Sequence, residues 1–111
     1  MGPRRRRVTW SEGAHRELDE AIAYVADDSP RNAADLLERI LRAGASLSEL
    51  SERGRILPEL GDPSIREVQV EPSRLIYSVG ESQVIILGLL HGRRDFDRWG
   101  RSDLSSGGGA H

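Results

Sequence analysis

Six side chains in the second half of this 111-residue chain are the ones whose types and positions could do chemistry: Glu59, Arg66, Arg74, His91, Arg93 and Arg94. These arginines, and those of Arg53-Gly54-Arg55, stand where apolar β-type runs begin and end, in Ile65-Arg66-Glu67, Ser73-Arg74-Leu75-Ile76-Tyr77 and His91-Gly92-Arg93-Arg94-Asp95. A sheet gains little from arginine at such places, whereas a planar, always-charged fork of donors suits contact with an anion. Arg66 and Arg74 can hold a phosphate. The plainer alternative pairs Arg74 with Glu67 or Glu71 and makes Arg66 an ordinary surface salt bridge worth about 0–1 kcal/mol. His91, with an unperturbed imidazole pKa of about 6.5, suits a proton donor or else closes a strand as a structural residue. Glu59 lies among prolines and glycines, in the kind of loop where functional residues gather, or is simply solvated. Arg93 and Arg94 can face nucleic acid or an acidic protein surface, or can pair with Asp95 and Asp97. The spacing of His91, Asp95 and Asp97 matches no recognised metal site, and neither a metal nor another cofactor is expected.

Composition limits what surrounds these residues. The length fits a single domain, and a hydrophobic fraction of 37% leaves a small core that burial against a partner chain would supplement. There is no cysteine, which excludes disulfides and thiolate metal sites. No segment approaches the roughly 20 apolar residues of a membrane span, and the basic start Arg4-Arg5-Arg6-Arg7 is not followed by the apolar stretch of a signal peptide. The expected compartment is the cytoplasm. The net charge of −2 is unevenly spread: residues 12–52 carry ten acids against four arginines, while residues 53–101 carry seven acids against eight arginines. All sixteen basic side chains are arginine, so chemistry that requires a lysine as proton donor or acceptor is excluded.

The elements that must position the candidates follow from periodicity. Val8 and Trp10 alternate with Arg7 and Thr9 and predict a short first strand after a basic tail, residues 1–7. Ser11 is a good N-cap, and Ala14, Leu18, Ala21, Ile22 and Val25 recur at helical spacing over residues 12–27. Ser29 and Pro30 begin a second helix whose apolar stripe runs from Ala33 through Leu36, Leu37, Ile40, Leu41, Gly44 and Leu47 to Leu50. Tyr24 and Tyr77 are expected to pack in the core or at its rim, and Trp10 and Trp99 at the two ends of the ordered chain. Residues 51–64, with two glycines and two prolines, read as a loop.

Residues 65–71 then alternate, with Arg66, Val68 and Val70 on one side and Glu67, Gln69 and Glu71 outward. Leu75, Tyr77 and Val79 share one face of a third strand and Arg74, Ile76 and Ser78 the other. Gly80-Glu81-Ser82 turns the chain into a nearly all-apolar central strand, residues 84–90. The Gly/Ser-rich residues 100–111 form a tail with nothing to pack. The result is an α+β domain over residues 8–99: an N-terminal strand and a two-helix hairpin packed on one face of a small, mainly antiparallel sheet whose other face stays open.

With this order of elements, Pro58-Glu59-Leu60, Ile65-Arg66-Glu67, Ser73-Arg74-Leu75-Ile76-Tyr77 and Leu87-Gly88-Leu89-Leu90-His91-Gly92-Arg93-Arg94-Asp95 together resemble the RelE/ParE superfamily, the toxins of bacterial type II toxin–antitoxin systems. The resemblance implies a growth-inhibiting protein neutralised by a small antitoxin. Where the family often has Tyr-Arg before the third strand, this chain has Ser73-Arg74. Two activities are known in the superfamily. ParE-like members poison DNA gyrase and look like binding proteins without a catalytic set, and the His-Gly-Arg-Arg-Asp ending and the absence of lysine lean that way. RelE-like members cut messenger RNA on the ribosome. In the YoeB-like version the resemblance would make Glu59 the base, Arg74 the phosphate holder and His91 the acid. A third implication is an antitoxin-binding module without toxicity. Arg66, Arg74, Arg93 and Arg94 are the expected binding residues, and the antitoxin is expected to lie across the helical hairpin or the open sheet face, with acids toward Arg66, Arg74 and Arg93.

Overall fold

Two serines start the two helices of the computed structural model, which describes residues 5–91. After strand β1 (Arg7–Trp10), the Ser11 hydroxyl accepts the Ala14 N–H at 3.0 Å and opens helix α1 (Glu12–Asp28). Ser29 does the same for Asn32 at 3.1 Å, and with Pro30 in the first turn it opens α2 (Pro30–Ser46). The chain continues through β2 (Arg55–Ile56), a 3-10 turn (Pro58–Leu60), β3 (Ile65–Val70), β4 (Ser73–Val79) and β5 (Gln83–His91). The sheet order is β1-β5-β4-β3-β2, with β1 parallel to β5 and every other pair antiparallel.

The main core lies between the hairpin and the sheet. Ala14, Leu18 and Ala21 of α1 and Leu36 and Ile40 of α2 meet Val68, Leu75, Tyr77, Val84, Ile86 and Leu89. Gly44 permits the approach of α2, since a Cβ there would stand 3.2 Å from Ile86 Cδ1 and 3.3 Å from Trp10 Cζ2. The far side of the sheet is less open than expected. A second apolar cluster of Leu57, Ile65, Ile76 and Leu90 lies on it, with Leu60 and Leu87 packed against it. It is assembled by the 51–64 segment, which the sequence reads as plain loop but which contributes β2 and the 3-10 turn.

Other departures have local causes. Helix α2 ends at Ser46, before the last two leucines of its stripe: Leu47 is buried in the turn that follows, while Leu50 is 54% exposed. The Ser46 hydroxyl donates to the Ala43 carbonyl, a local bond that competes with helix propagation. Arg6 and Arg7, read as tail, are fastened to the domain. Arg7 begins β1, and Arg6 donates through Nε to the Gly80 carbonyl and through Nη1 to Ser51 Oγ. Tyr24, expected to pack, is 73% exposed. A bulge in β5 leaves Leu87 without a partner on β4, and α1 takes up the displaced groups: Ser11 Oγ donates to the Leu87 carbonyl, and the Glu17 carboxylate accepts the Leu89 N–H at 3.0 Å. No helix among the described residues is long and apolar enough to cross a membrane.

Candidate functional site

The residues that share a face with Arg74 follow from strand register. Arg55 of β2 stands opposite Glu67 of β3, which stands opposite Ile76 of β4, so all three side chains point away from the helices, as does Arg74 two residues before Ile76. Glu67 was expected to face solvent. It is instead 3% exposed and clamped between two arginines: Arg55 Nε lies 2.8 Å from Oε2 and Arg74 Nη1 3.2 Å from Oε1. Burial of a carboxylate without partners costs several kcal/mol, so the two guanidiniums are what make this position tenable. Arg55 engages Glu67 through Nε and is 61% exposed, whereas Arg74 is 23% exposed. The triad carries a net charge of +1 on the face away from the hairpin.

The other candidates are distributed around it. Arg66 follows the opposite alternation and lies across from Tyr77; its Nη1 donates to the carbonyls of Gly54 at 2.7 Å and Glu52 at 3.2 Å, tying the loop before β2. Gly54 in turn donates its N–H to the Tyr77 hydroxyl at 2.9 Å, and a Cβ on Gly54 would stand 2.5 Å from the Glu67 carbonyl oxygen. Burial raises the Tyr77 pKa, outweighing the Gly54 hydrogen bond and the nearby Arg66 and Arg53 charges that lower it. Glu59 is exposed on the 3-10 turn and makes no ion pair among the described residues. The turn is steadied at its far end by Asp62, whose carboxylate accepts both the N–H and the hydroxyl of Ser64; these bonds lower its pKa.

His91 lies on the opposite side of the sheet from Arg74. Its Nδ1 is 2.8 Å from the Ser73 hydroxyl, and its ring meets the edge of Tyr24 on α1 at a centroid distance of 5.8 Å. Ser73 and Arg74 are consecutive in β4 and so project to opposite faces. The structure therefore brings Arg74 together with Glu67 and Arg55 and separates it from both His91 and Arg66. Arg93, Arg94 and Trp99 lie outside the described residues, as does the 100–111 tail.

Sequence reasoning placed Arg55 in an arginine-bearing run but did not single it out as a site residue, and did not see that Glu67 is buried. The available signal was weak. Arg55 sits two residues after Arg53 in a segment without strand periodicity, and Glu67 looks like the polar half of a half-buried strand.

A fold with this order of elements and this sheet has known relatives. No match is found among curated proteins. The solved structure of a chromosomal ParDE toxin–antitoxin system from P. aeruginosa superposes with a TM-score of 0.65 at 21% identity, covering 79% of this chain and 97% of that one, which is a likeness of fold. The RelBE2 toxin–antitoxin complex of Mycobacterium tuberculosis superposes with a TM-score of 0.55 at 26% identity, covering 83% of this chain and 95% of that one. The sequence model of the ParE toxin of the type II toxin–antitoxin system parDE matches residues 8–96, which takes in every described strand and helix except the first residue of β1. With fold and sequence in agreement over nearly the whole domain, the chain belongs to the ParE toxin family of the RelE/ParE superfamily.

Proposed function

We propose that this chain arrests bacterial growth by inhibiting DNA gyrase and that a small antitoxin protein neutralises it by binding. The observation that carries the gyrase reading is the separation of Arg74 from His91 by the thickness of the sheet. Cleavage of RNA by its own 2′-hydroxyl needs a base, an anion holder and an acid converging on one phosphorus. Here Arg74 pairs with the Glu67 carboxylate, which a second arginine shares, and His91 is turned toward Ser73 and Tyr24. The absence of lysine and the match to the ParE family model support the same reading.

The antitoxin's landing surface is the helical side. Among the described residues, the exposed large apolar ones are Tyr24 on α1, Leu41 on α2, Leu50 after α2, and Ile56, whose register partner is Arg66. Apolar anchors of this kind, rimmed by charge, suit a protein partner. Synthesis of the chain from a tightly controlled promoter stops growth, and co-expression of the small open reading frame beside its gene restores it. A chain that binds such a protein tightly yet never slows growth would instead be a binding module without toxicity.

The 26% identity to the RelBE2 complex keeps messenger-RNA cleavage as a second reading. In that case Glu59, Arg74 and His91 would have to converge on the ribosome, and Arg74→Ala would abolish codon-spaced cuts while the domain stayed folded.

A further inference from the structure

Tyr24 is an exposed aromatic that the fold holds in place. It is 73% exposed on α1, yet its ring meets that of His91 in an edge arrangement at a centroid distance of 5.8 Å. His91 is itself fixed through Nδ1, 2.8 Å from the hydroxyl of the buried Ser73. A side chain buried in the sheet thus orients a ring that stands in solvent. Around that ring the surface is acidic only. Glu20 stands one turn before Tyr24, and Asp27 and Asp28 one turn after it, on neighbouring positions of α1. None of these three carboxylates makes an ion pair among the described residues, and residues 17–30 contain no arginine, lysine or histidine. A carboxylate in the last turn of a helix opposes the macrodipole, and no basic residue stands there to offset it. Tyr24, Val25, Asp27, Asp28 and Asn32 line an open recess of about 440 Å³.

From this arrangement we infer that the recess beside Tyr24 receives a basic side chain, best an arginine, of a partner protein. The identity of that partner rests on the reading proposed above and is the antitoxin. The negative face of an aromatic ring attracts a cation, and a guanidinium stacks on the ring while its remaining donors reach the carboxylates beside it. An apolar side chain would cover the ring but leave Asp27 and Asp28 desolvated without partners, and an acidic one is repelled. A nucleic-acid backbone is repelled by the same carboxylates. A metal ion would lack ligands, since no group of three potential ligand residues converges among the described residues. The antitoxin therefore carries a cation toward the end of α1, opposite in sign to the acids expected against the arginines of the sheet.

The chain has two tyrosines, and the buried Tyr77 serves as an internal control. The ring signals of isotope-labelled tyrosine in the purified full-length chain are followed by NMR during titration with blocked tri-arginine and tri-glutamate peptides. The Tyr24 signals shift with tri-arginine, less as salt is added, and not with tri-glutamate, while those of Tyr77 stay. Asp27→Asn together with Asp28→Asn removes the response without lowering the melting temperature, whereas Glu12→Gln, at the other end of α1, does not remove it. With the protein encoded by the neighbouring small open reading frame as ligand, Tyr24→Leu weakens binding by about 2- to 30-fold, the range of a cation on an aromatic face, and Tyr24→Phe keeps it. A Tyr24 silent to tri-arginine, an equal response to tri-glutamate, or antitoxin affinity indifferent to Tyr24→Leu would overturn the inference and leave Tyr24 an apolar anchor. A response that emerges only with Arg93→Gln and Arg94→Gln would assign the recess to the chain's own arginines and overturn it likewise. A neighbouring protein that fails to bind while tri-arginine still shifts Tyr24 would overturn the antitoxin reading instead and leave the receptor for a basic side chain standing.

Discussion

Glu67 illustrates how one side chain links strand register to charge. Its position is set by β3 pairing, which puts it opposite Ile76 and on the face of Ile65, and its charge is tolerated because Arg55 and Arg74 reach it from β2 and β4. Arg74→Ala leaves a buried carboxylate with one partner and is expected to destabilise the domain by about 1–3 kcal/mol. Glu67→Leu removes the charge and joins the adjacent apolar cluster, so its stability stays within about 1 kcal/mol of the parent. Urea denaturation of the two variants measures the contrast, and a more damaging Glu67→Leu would refute the account of this site. Tyr77 offers a second test at the same scale. Its pKa is raised in the folded state above the ordinary value of 10.0, so above that pH the unfolded chain releases the proton first. Stability is therefore fully present below about pH 10 and falls as the pH rises toward the folded-state value. Tyr77→Phe loses the acceptor for the Gly54 N–H, which lowers stability at neutral pH, but flattens the alkaline decline. An undiminished slope in that variant would place its origin elsewhere.

At the scale of elements, the two serine caps differ in what they hold. Ser29 satisfies one exposed helix N–H, while Ser11 satisfies the Ala14 N–H and also donates to the Leu87 carbonyl at the β5 bulge, joining α1 to the sheet. Ser11→Ala should cost more than Ser29→Ala, about 1–2 kcal/mol against about 0.5–1, as thermal melts of the two variants would show. Equal losses would mean that the Leu87 contact contributes nothing. These elements also show where a sequence is readable. Both helices, β1 and the three long strands were legible because their apolar spacing is strong and their caps and turns agree with it. β2 was not, because two residues carry no period and Arg55 and Ile56 become a strand only through pairing with Glu67 and Arg66. The alternation in β3 was readable but its environment was not: Glu67 points to the predicted face, and that face carries an apolar cluster to which Leu57 and Leu60 of the preceding non-periodic segment contribute. His91 and Arg74 were both found as candidates, yet their placement on opposite faces depends on the pairing of Ser73 with His91.

The whole molecule has two unlike sides. The hairpin presents acids and the exposed apolar Tyr24 and Leu41, and the far face of the sheet presents arginines around a buried carboxylate. A toxin that must be silenced by one partner and engage another can use such a division, with the protein inhibitor on the helical side and the target on the other. Substitutions should then separate the two functions: Tyr24→Asp together with Leu41→Asp weakens antitoxin binding while growth arrest persists, and Arg55→Gln reduces growth arrest while antitoxin binding persists. Pull-down and growth assays on the same variants check this, and loss of both functions together in either variant would contradict it. The most direct test of the central claim induces the chain without antitoxin in a bacterium and, in the same cells, scores gyrase-linked DNA breaks and maps new 5′ ends on a translated reporter messenger. The account predicts protein-linked breaks with the messenger intact; cuts in register with codons and undamaged DNA would contradict it.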